Sequence, residues 1–139
     1  DLAKAKSFAG EVVKAFNVKT AGVGQAAKSL SGGNLQKFVM GREILQTPQV
    51  LIVSQPTWGV DAGAAEVIHQ AIFDLAAEGA AIVVISQDLD ELMSISSSFA
   101  VIANGRLSPV RPTCEVTVEE VGLLMGGDGG AGSAEFADA

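Results

Sequence analysis

The chain has 139 residues, 48% of them hydrophobic, which is enough apolar material for one domain-sized core. Sixteen Asp and Glu against nine Lys and Arg give a net charge of −7, a balance that argues against a nucleic-acid surface. Cys114 is the single cysteine, so no disulfide forms within the chain, and no apolar run approaches the roughly 18 to 20 residues of a membrane span.

Residues 2–16, LAKAKSFAGEVVKAF, set Phe8, Val12 and Phe16 at helical spacing among lysines, which predicts an amphipathic helix. NVKTAGVGQAAK, 17–28, reads as a loop broken by Gly22 and Gly24. A second helix is expected from Ser31 or Gly33, with Leu35, Phe38, Ile44 and Leu45 as its buried stripe and Pro48 as its stop. The run 50–53 is almost wholly apolar, the pattern of a parallel strand covered on both faces. A helix follows over 62–78, with Val67, Ile68, Ala71, Ile72 and Leu75 on its apolar face and Gly79 at its end. Residues 81–85 repeat the buried-strand pattern.

Asp88 and Glu91 form a D-x-x-E start for a short helix, and Ser96-Ser97-Ser98 reads as a solvated connector. A strand over 99–103 runs into Asn104-Gly105, a strong hairpin signal. Thr117 and Glu120 open a last helix, TVEEVGLLM. The body is expected to span 1–125, and the small, flexible composition of 126–139 predicts a tail. Alternating strands and helices followed by a hairpin give an α/β fold class with parallel strands. Two strands covered on both faces need neighbours, so the chain is expected to be a piece of a larger sheet.

Ser31-Gly32-Gly33 stands where a helix begins. A helix N-terminus presents unpaired N–H groups and partial positive charge, two glycines admit close approach, and a serine hydroxyl adds a donor. Together these suit an anion. On three residues alone, a serine N-cap with a Gly-Gly entry is the more common arrangement.

The wider order changes that weighting. LSGGNLQK at 30–37, VLIVSQPT at 50–57, WGVD at 58–61, VVISQDLDEL at 83–92 and ANGRL at 103–107 follow one another at set intervals. This series resembles the ATPase subunits of ABC transporters over about residues 28–108. LSGG is similar to the family's signature motif, VLIVSQPT to its Walker B strand, WGVD to its D-loop, and ISQDLDEL to its switch region. The wording GGNLQK, QPTWGVDAGA and ISQDLDEL most resembles bacterial importers of simple sugars and nucleosides, in which two ATPase domains lie in tandem and the second is often degenerate. The resemblance implies a partial P-loop NTPase core.

Departures from that pattern matter chemically. No G-x-x-x-x-G-K-[ST] loop occurs in the sequence, so the chain is expected to begin after it. Ser54 stands where the family places the Mg²⁺-binding Asp, Gln55 where it places a general-base Glu, and Gln87 where it places a His. A hydroxyl does not replace a carboxylate beside a divalent ion, and an amide cannot take a proton. No catalytic residue is expected intact, and no metal site.

In the family, two domains sandwich ATP, each site drawing its signature from the opposite domain. The resemblance therefore implies that Ser31, Gly32, Gly33 and Asn34 serve nucleotide held by a partner domain, while this chain's own site is degenerate. ATP and Mg²⁺ are implied for the full assembly, with neither tightly held by the chain alone. Implied partners are a second ATPase domain, membrane permease subunits and, indirectly, a solute-binding protein. The implied location is the cytoplasmic face of the bacterial inner membrane. Competing readings are a catalytically dead scaffold and a chromosome or DNA-repair ATPase, which the acidic balance and absent heptads disfavour.

Other residues carry more ordinary expectations. Asp61 is either a contact across the dimer or a helix N-cap. Trp58 is expected to be a partly exposed loop anchor that packs rather than stacks on a ligand, and Lys37 and Arg42 are expected to face solvent. His69 has no neighbouring ligand residues that would make a metal site.

Overall fold

The structure is a computed structural model that describes residues 1–126. Apart from Gly126, the tail expected at 126–139 lies outside the described residues. Two compact units are distinguished, Asp1–Gln87 and the segment from Asp88 onward.

In the first unit, α1 (Leu2–Ala15) is capped by Asp1, whose side chain accepts from the Ala3 and Lys4 N–H groups. Its far end closes on Asn17, a non-glycine residue at φ 47°, with Val18 N donating to Val13 O. Lys37 donates from Nζ to the Asn17 carbonyl at 2.8 Å and is buried. The solvent position expected for Lys37 is therefore corrected. Its aliphatic stem lies in the interior while its charge sits at the negative end of α1.

α2 (Gly32–Ile44) buries Lys37, Met40, Gly41 and Ile44. Of the stripe expected from apolarity, Ile44 is buried and Phe38 packs partly buried against the core, whereas Leu35 is only half-buried and Leu45 is exposed. A Cβ on Gly41 would come within 2.5 Å of the Phe16 ring, so glycine is what lets α2 lie against α1 there. β1 (Val50–Ser54) and β2 (Ala81–Ile85) pair in parallel, Val50 opposite Ala81 through to Ser54 opposite Ile85. Between them runs α3 (Ala62–Ala77), which ends with Gly79 at φ 99° and Ala80 N donating to Leu75 O. Glycine takes the left-handed position that this helix ending requires.

The core of this unit joins Phe16, Val18, Met40, Ile44, Leu51, Val53, Ile68, Ile72 and Leu75. Fully burying such a side chain is worth about 1.5–3 kcal/mol. Only one face of the sheet takes part. Val50 is 61% exposed, Ile52 67%, Val83 50% and Ile85 52%. This corrects the two-sided burial expected of β1 and of β2. Apolarity marked both faces of each strand, but only the α2/α3 face has neighbours among the described residues.

In the second unit, Asp88 caps α4 (Leu89–Ile95) by accepting from Glu91 N at 3.0 Å. The strand expected over 99–103 is split. β3 (Ser98–Phe99) pairs with β6 (Arg111–Pro112), and β4 (Ile102–Ala103) pairs with β5 (Arg106–Leu107). Asn104 at φ 51° and Gly105 at φ 75° make the tight turn between β4 and β5. The serine run is solvated, with Ser97 and Ser98 exposed, and it is also tied down: Thr113 donates to the carbonyls of Ser96 and Ser97, and Ser98 enters β3. Buried Ser108 accepts from Val101 N and donates its own N–H to Val101 O. α5 (Val118–Gly126) opens with a reciprocal cap: Thr117 Oγ1 accepts from Glu120 N, and Glu120 Oε2 accepts from Thr117 N. Val101, Val116 and Val121 form this unit's core with Leu89, Phe99 and Leu124.

Candidate functional site

Parallel strands offer a ligand crevice at their carboxyl ends, where the chain leaves the sheet. β1 ends at Ser54 and β2 at Ile85, paired with each other, so Ser54, Gln55, Ser86 and Gln87 come out together. A cavity of about 480 Å³ opens at this edge, lined by Gln36, Ser54, Gln55, Trp58 and Gln87. The three positions singled out as chemically altered, Ser54, Gln55 and Gln87, thus meet in one place. Gln36 was not among the residues singled out from sequence.

Gln55 is the hinge of the crevice. It leaves the strand at φ 52°, a left-handed conformation that is uncommon for a residue with a side chain. Three bonds fix it there. Its N–H donates to Ile85 O at 2.7 Å, its carbonyl accepts from Trp58 N, and its Oε1 accepts from Ser86 Oγ at 3.4 Å. Gln36 adds a fourth hold from α2, donating Nε2 to the carbonyls of Gln55 at 3.0 Å and Pro56 at 2.9 Å. Trp58 is 75% exposed at the rim, so the exposure expected of it is found, and the packing expected of it is corrected. The turn over 55–60 is held by backbone and amide bonds, which leaves the indole outside.

None of the five lining residues is ionisable. A divalent cation needs carboxylate charge, and general-base catalysis needs a titratable acceptor. The cavity residues fit neither Mg²⁺ nor a base. Among the described residues, no group of three or more His, Cys, Asp or Glu is placed to hold a metal ion.

The first turn of α2 is chemically different. Ser31 occupies the N-cap position but makes no side-chain cap bond. Its Oγ accepts from Asn34 Nδ2 at 2.8 Å, a bond that does not use the hydroxyl proton. Asn34 Oδ1 in turn accepts from Lys19 N at 2.8 Å, so Asn34 ties α2 to the loop before it. The two glycines differ. Gly32 faces open space, whereas a Cβ on Gly33 would lie 2.8 Å from the Gly59 carbonyl oxygen. Gly32 is the glycine whose backbone a ligand can approach, and Gly33 is required by contact with the turn at 59–60. Ser31, Gly32 and the unpaired positive end of α2 fit an anion.

Asp61 Oδ1 accepts from Ala64 N at 3.0 Å and caps α3. Asp61→Ala is expected to cost about 1 kcal/mol of stability, measured as a lower denaturation midpoint with an unchanged slope.

No protein-family model matches the chain. Solved structures share its fold. An ATP-binding subunit of an ABC transporter superposes with a TM-score of 0.74 at 18% identity, over 89% of this chain and 55% of that one. A dimeric ATP-binding cassette in a post-hydrolysis state, bound to ADP and Pi, gives 0.67 at 21% identity, over 77% and 46%. Sequence relatives are nearer. The nucleoside import ATP-binding protein NupA of Lactococcus lactis is 44% identical over 91% of the chain and 25% of its own length. The guanosine import ATP-binding protein NupO of Bacillus subtilis is 41% identical over 86% and 23%. The ribose import ATP-binding protein RbsA 1 of Streptomyces avermitilis is 40% identical over 89% and 24%.

The chain belongs to the ABC ATPases.

It spans about a quarter of the length of the curated relatives it matches. The partial P-loop NTPase core read from the motifs is the fold observed: helices beside a parallel strand pair, then a tight antiparallel hairpin. In this ABC ATPase chain the LSGG stretch opens α2, the VLIVSQPT stretch is β1 with its exit, and WGVD leads into α3. Gln36 is the residue that sequence reasoning missed. Its signal was spacing: it lies three residues after Gly33, on the helix face that meets the 55–60 turn.

Proposed function

We propose that this chain is part of the ATP-binding component of a bacterial ABC importer for sugars or nucleosides. In this reading it supplies its signature turn to a nucleotide held by a partner ATPase domain, while its own site does not hydrolyse. The observation that carries the reading is the contrast between two turns of one unit. Ser31 keeps a hydroxyl proton and Gly32 an open approach, whereas the β1/β2 crevice is lined only by neutral side chains. The relatives' names, all import ATP-binding proteins, support the transport assignment.

ATP, when bound with Mg²⁺ to the partner domain, supplies the phosphoanhydride whose cleavage drives the cycle. The residues of this chain bind and orient. Ser31 Oγ donates toward a terminal phosphate oxygen, Gly32 lets the backbone approach it, and Asn34 holds the Ser31 hydroxyl by accepting from Lys19 and donating to Oγ. Asp61 caps α3 and, in the closed pair, faces the opposite domain. Ser54, Gln55 and Gln87 carry no proton-accepting or cation-binding charge, so the crevice they form stays inactive. In this reading the chain sits at the cytoplasmic face of the membrane against permease subunits, and a solute-binding protein is an indirect partner.

The test is Ser31→Arg in the assembled two-domain ATPase. Loss of the donor and insertion of a bulky side chain are expected to lower hydrolysis by about 100-fold, the scale of one lost transition-state donor. Unchanged hydrolysis and transport would end the proposal. The neutral crevice also favours a second reading, a catalytically dead scaffold. A scaffold would tolerate Ser31→Arg while losing function on disruption of the core.

A further inference from the structure

One side chain near the start of α2 fastens the helix to the turn that leaves β1. Gln36 Nε2 carries two protons and places them on two successive carbonyls, those of Gln55 and Pro56. Gly33, one helical turn earlier, rests against Gly59 O and Val60 Cα. Two attachment points on one helix face prevent α2 from pivoting on the 55–60 segment. Gln55, left-handed at φ 52°, has little freedom of its own to relax.

We propose that Gln36 is a positioning residue that couples the Ser31–Gly33 turn to Gln55. A change at the anion-binding turn is then felt in the neutral crevice of the same chain. The coupling rests on the reading of Ser31 and Gly32 as an anion site; the positioning role of Gln36 does not. The physical basis is donor supply. Without Nε2, two part-buried carbonyls lose a partner and the left-handed turn loses a fixed point.

Amide hydrogen exchange, read by mass spectrometry on the full chain, tests the positioning role. Gln36→Leu and Gln36→Glu both remove the donor at similar size. Amides in 55–60 are expected to exchange about tenfold faster in either, with α3 unchanged. Gln36→Lys restores a donor that reaches both carbonyls, and should return exchange to within about twofold of wild type. Unchanged exchange in the Leu and Glu variants overturns the proposal. So does a Lys variant as fast as Leu, because packing alone would then explain the effect.

A second arm adds the partner ATPase domain and ATP. Wild type should slow exchange at both 31–36 and 55–60 by about threefold, and Gln36→Leu at 31–36 alone. Slowing at both places in the Leu variant overturns the coupling and leaves the anion site standing. Slowing at neither place in wild type overturns the anion-site reading and the coupling with it.

Discussion

Ile68→Ala is expected to remove about 3–4 kcal/mol of stability and to move the urea midpoint down by more than about 1 M. Ile68 has 0% exposure and sits mid-way along α3, in one cluster with Leu51 and Val53 of β1 and Met40 and Ile44 of α2. Removing three carbons there opens a cavity that rigid neighbours on both sides cannot close. The loss weighs heavily because domains of this size hold only about 5–15 kcal/mol in total. Val67, the next residue, is 46% exposed, and Val67→Ala should fall within about 0.5 kcal/mol of wild type. Equal losses at the two positions would show that the cluster is not the folding core.

Gly33→Val is expected to destabilise by about 2–3 kcal/mol and to displace the turn at 59–60. The obstacle is backbone. A Cβ would stand 2.8 Å from Gly59 O and 3.6 Å from Val60 Cα, and neither atom can rotate aside. Gly32→Ala is the control, because nothing lies within 4 Å of its Cβ position. That variant should keep or slightly raise stability, since alanine lowers the entropy of the unfolded chain. In the assembled ATPase the two should therefore separate: Gly33→Val fails by losing shape and, if the proposed signature-turn role holds, Gly32→Ala fails by crowding the nucleotide while fully folded. Circular dichroism melts with parallel ATPase assays distinguish them. A Gly33→Val protein as stable as wild type would contradict the contact.

Features governed by local chemistry were legible in the sequence. The Thr117/Glu120 cap, the Asp88 cap, the Asn104-Gly105 turn and the Gly79 helix end each depend on residues within a few positions of one another. The strand 81–85 and the parallel pairing were readable for a similar reason, because a short apolar run between helices has few alternatives. Features that depend on distant chain segments were not. Apolarity in 50–53 cannot say which face finds a neighbour. Lys37 reads as a surface charge until Asn17 places a carbonyl above it. The helix face buried by α2 includes Gly41 because Phe16, far away in sequence, fills the space a side chain would need.

The candidate site divided along the same line. Ser54, Gln55 and Gln87 could be singled out by residue type, and the β1/β2 pairing explains why they converge. Gln36 could not, because an amide on a helix is chemically silent until its acceptors are known. Taken alone Ser31 reads as an ordinary cap, and only the motif series marked it for a nucleotide. Its bond from Asn34 gives the hydroxyl a different orientation, one that a motif cannot encode.

The placement of Trp58 has a practical consequence. The sequence contains one Trp and no Tyr, so emission excited at the red edge of protein absorption comes from a single indole. That indole stands on the lip of the crevice, 75% exposed. Whatever settles there, whether a small molecule or an approaching subunit, must strip water from the fluorophore and shift its colour toward the blue. The chain thus carries a built-in optical gauge of its quietest pocket, readable in a titration without any label.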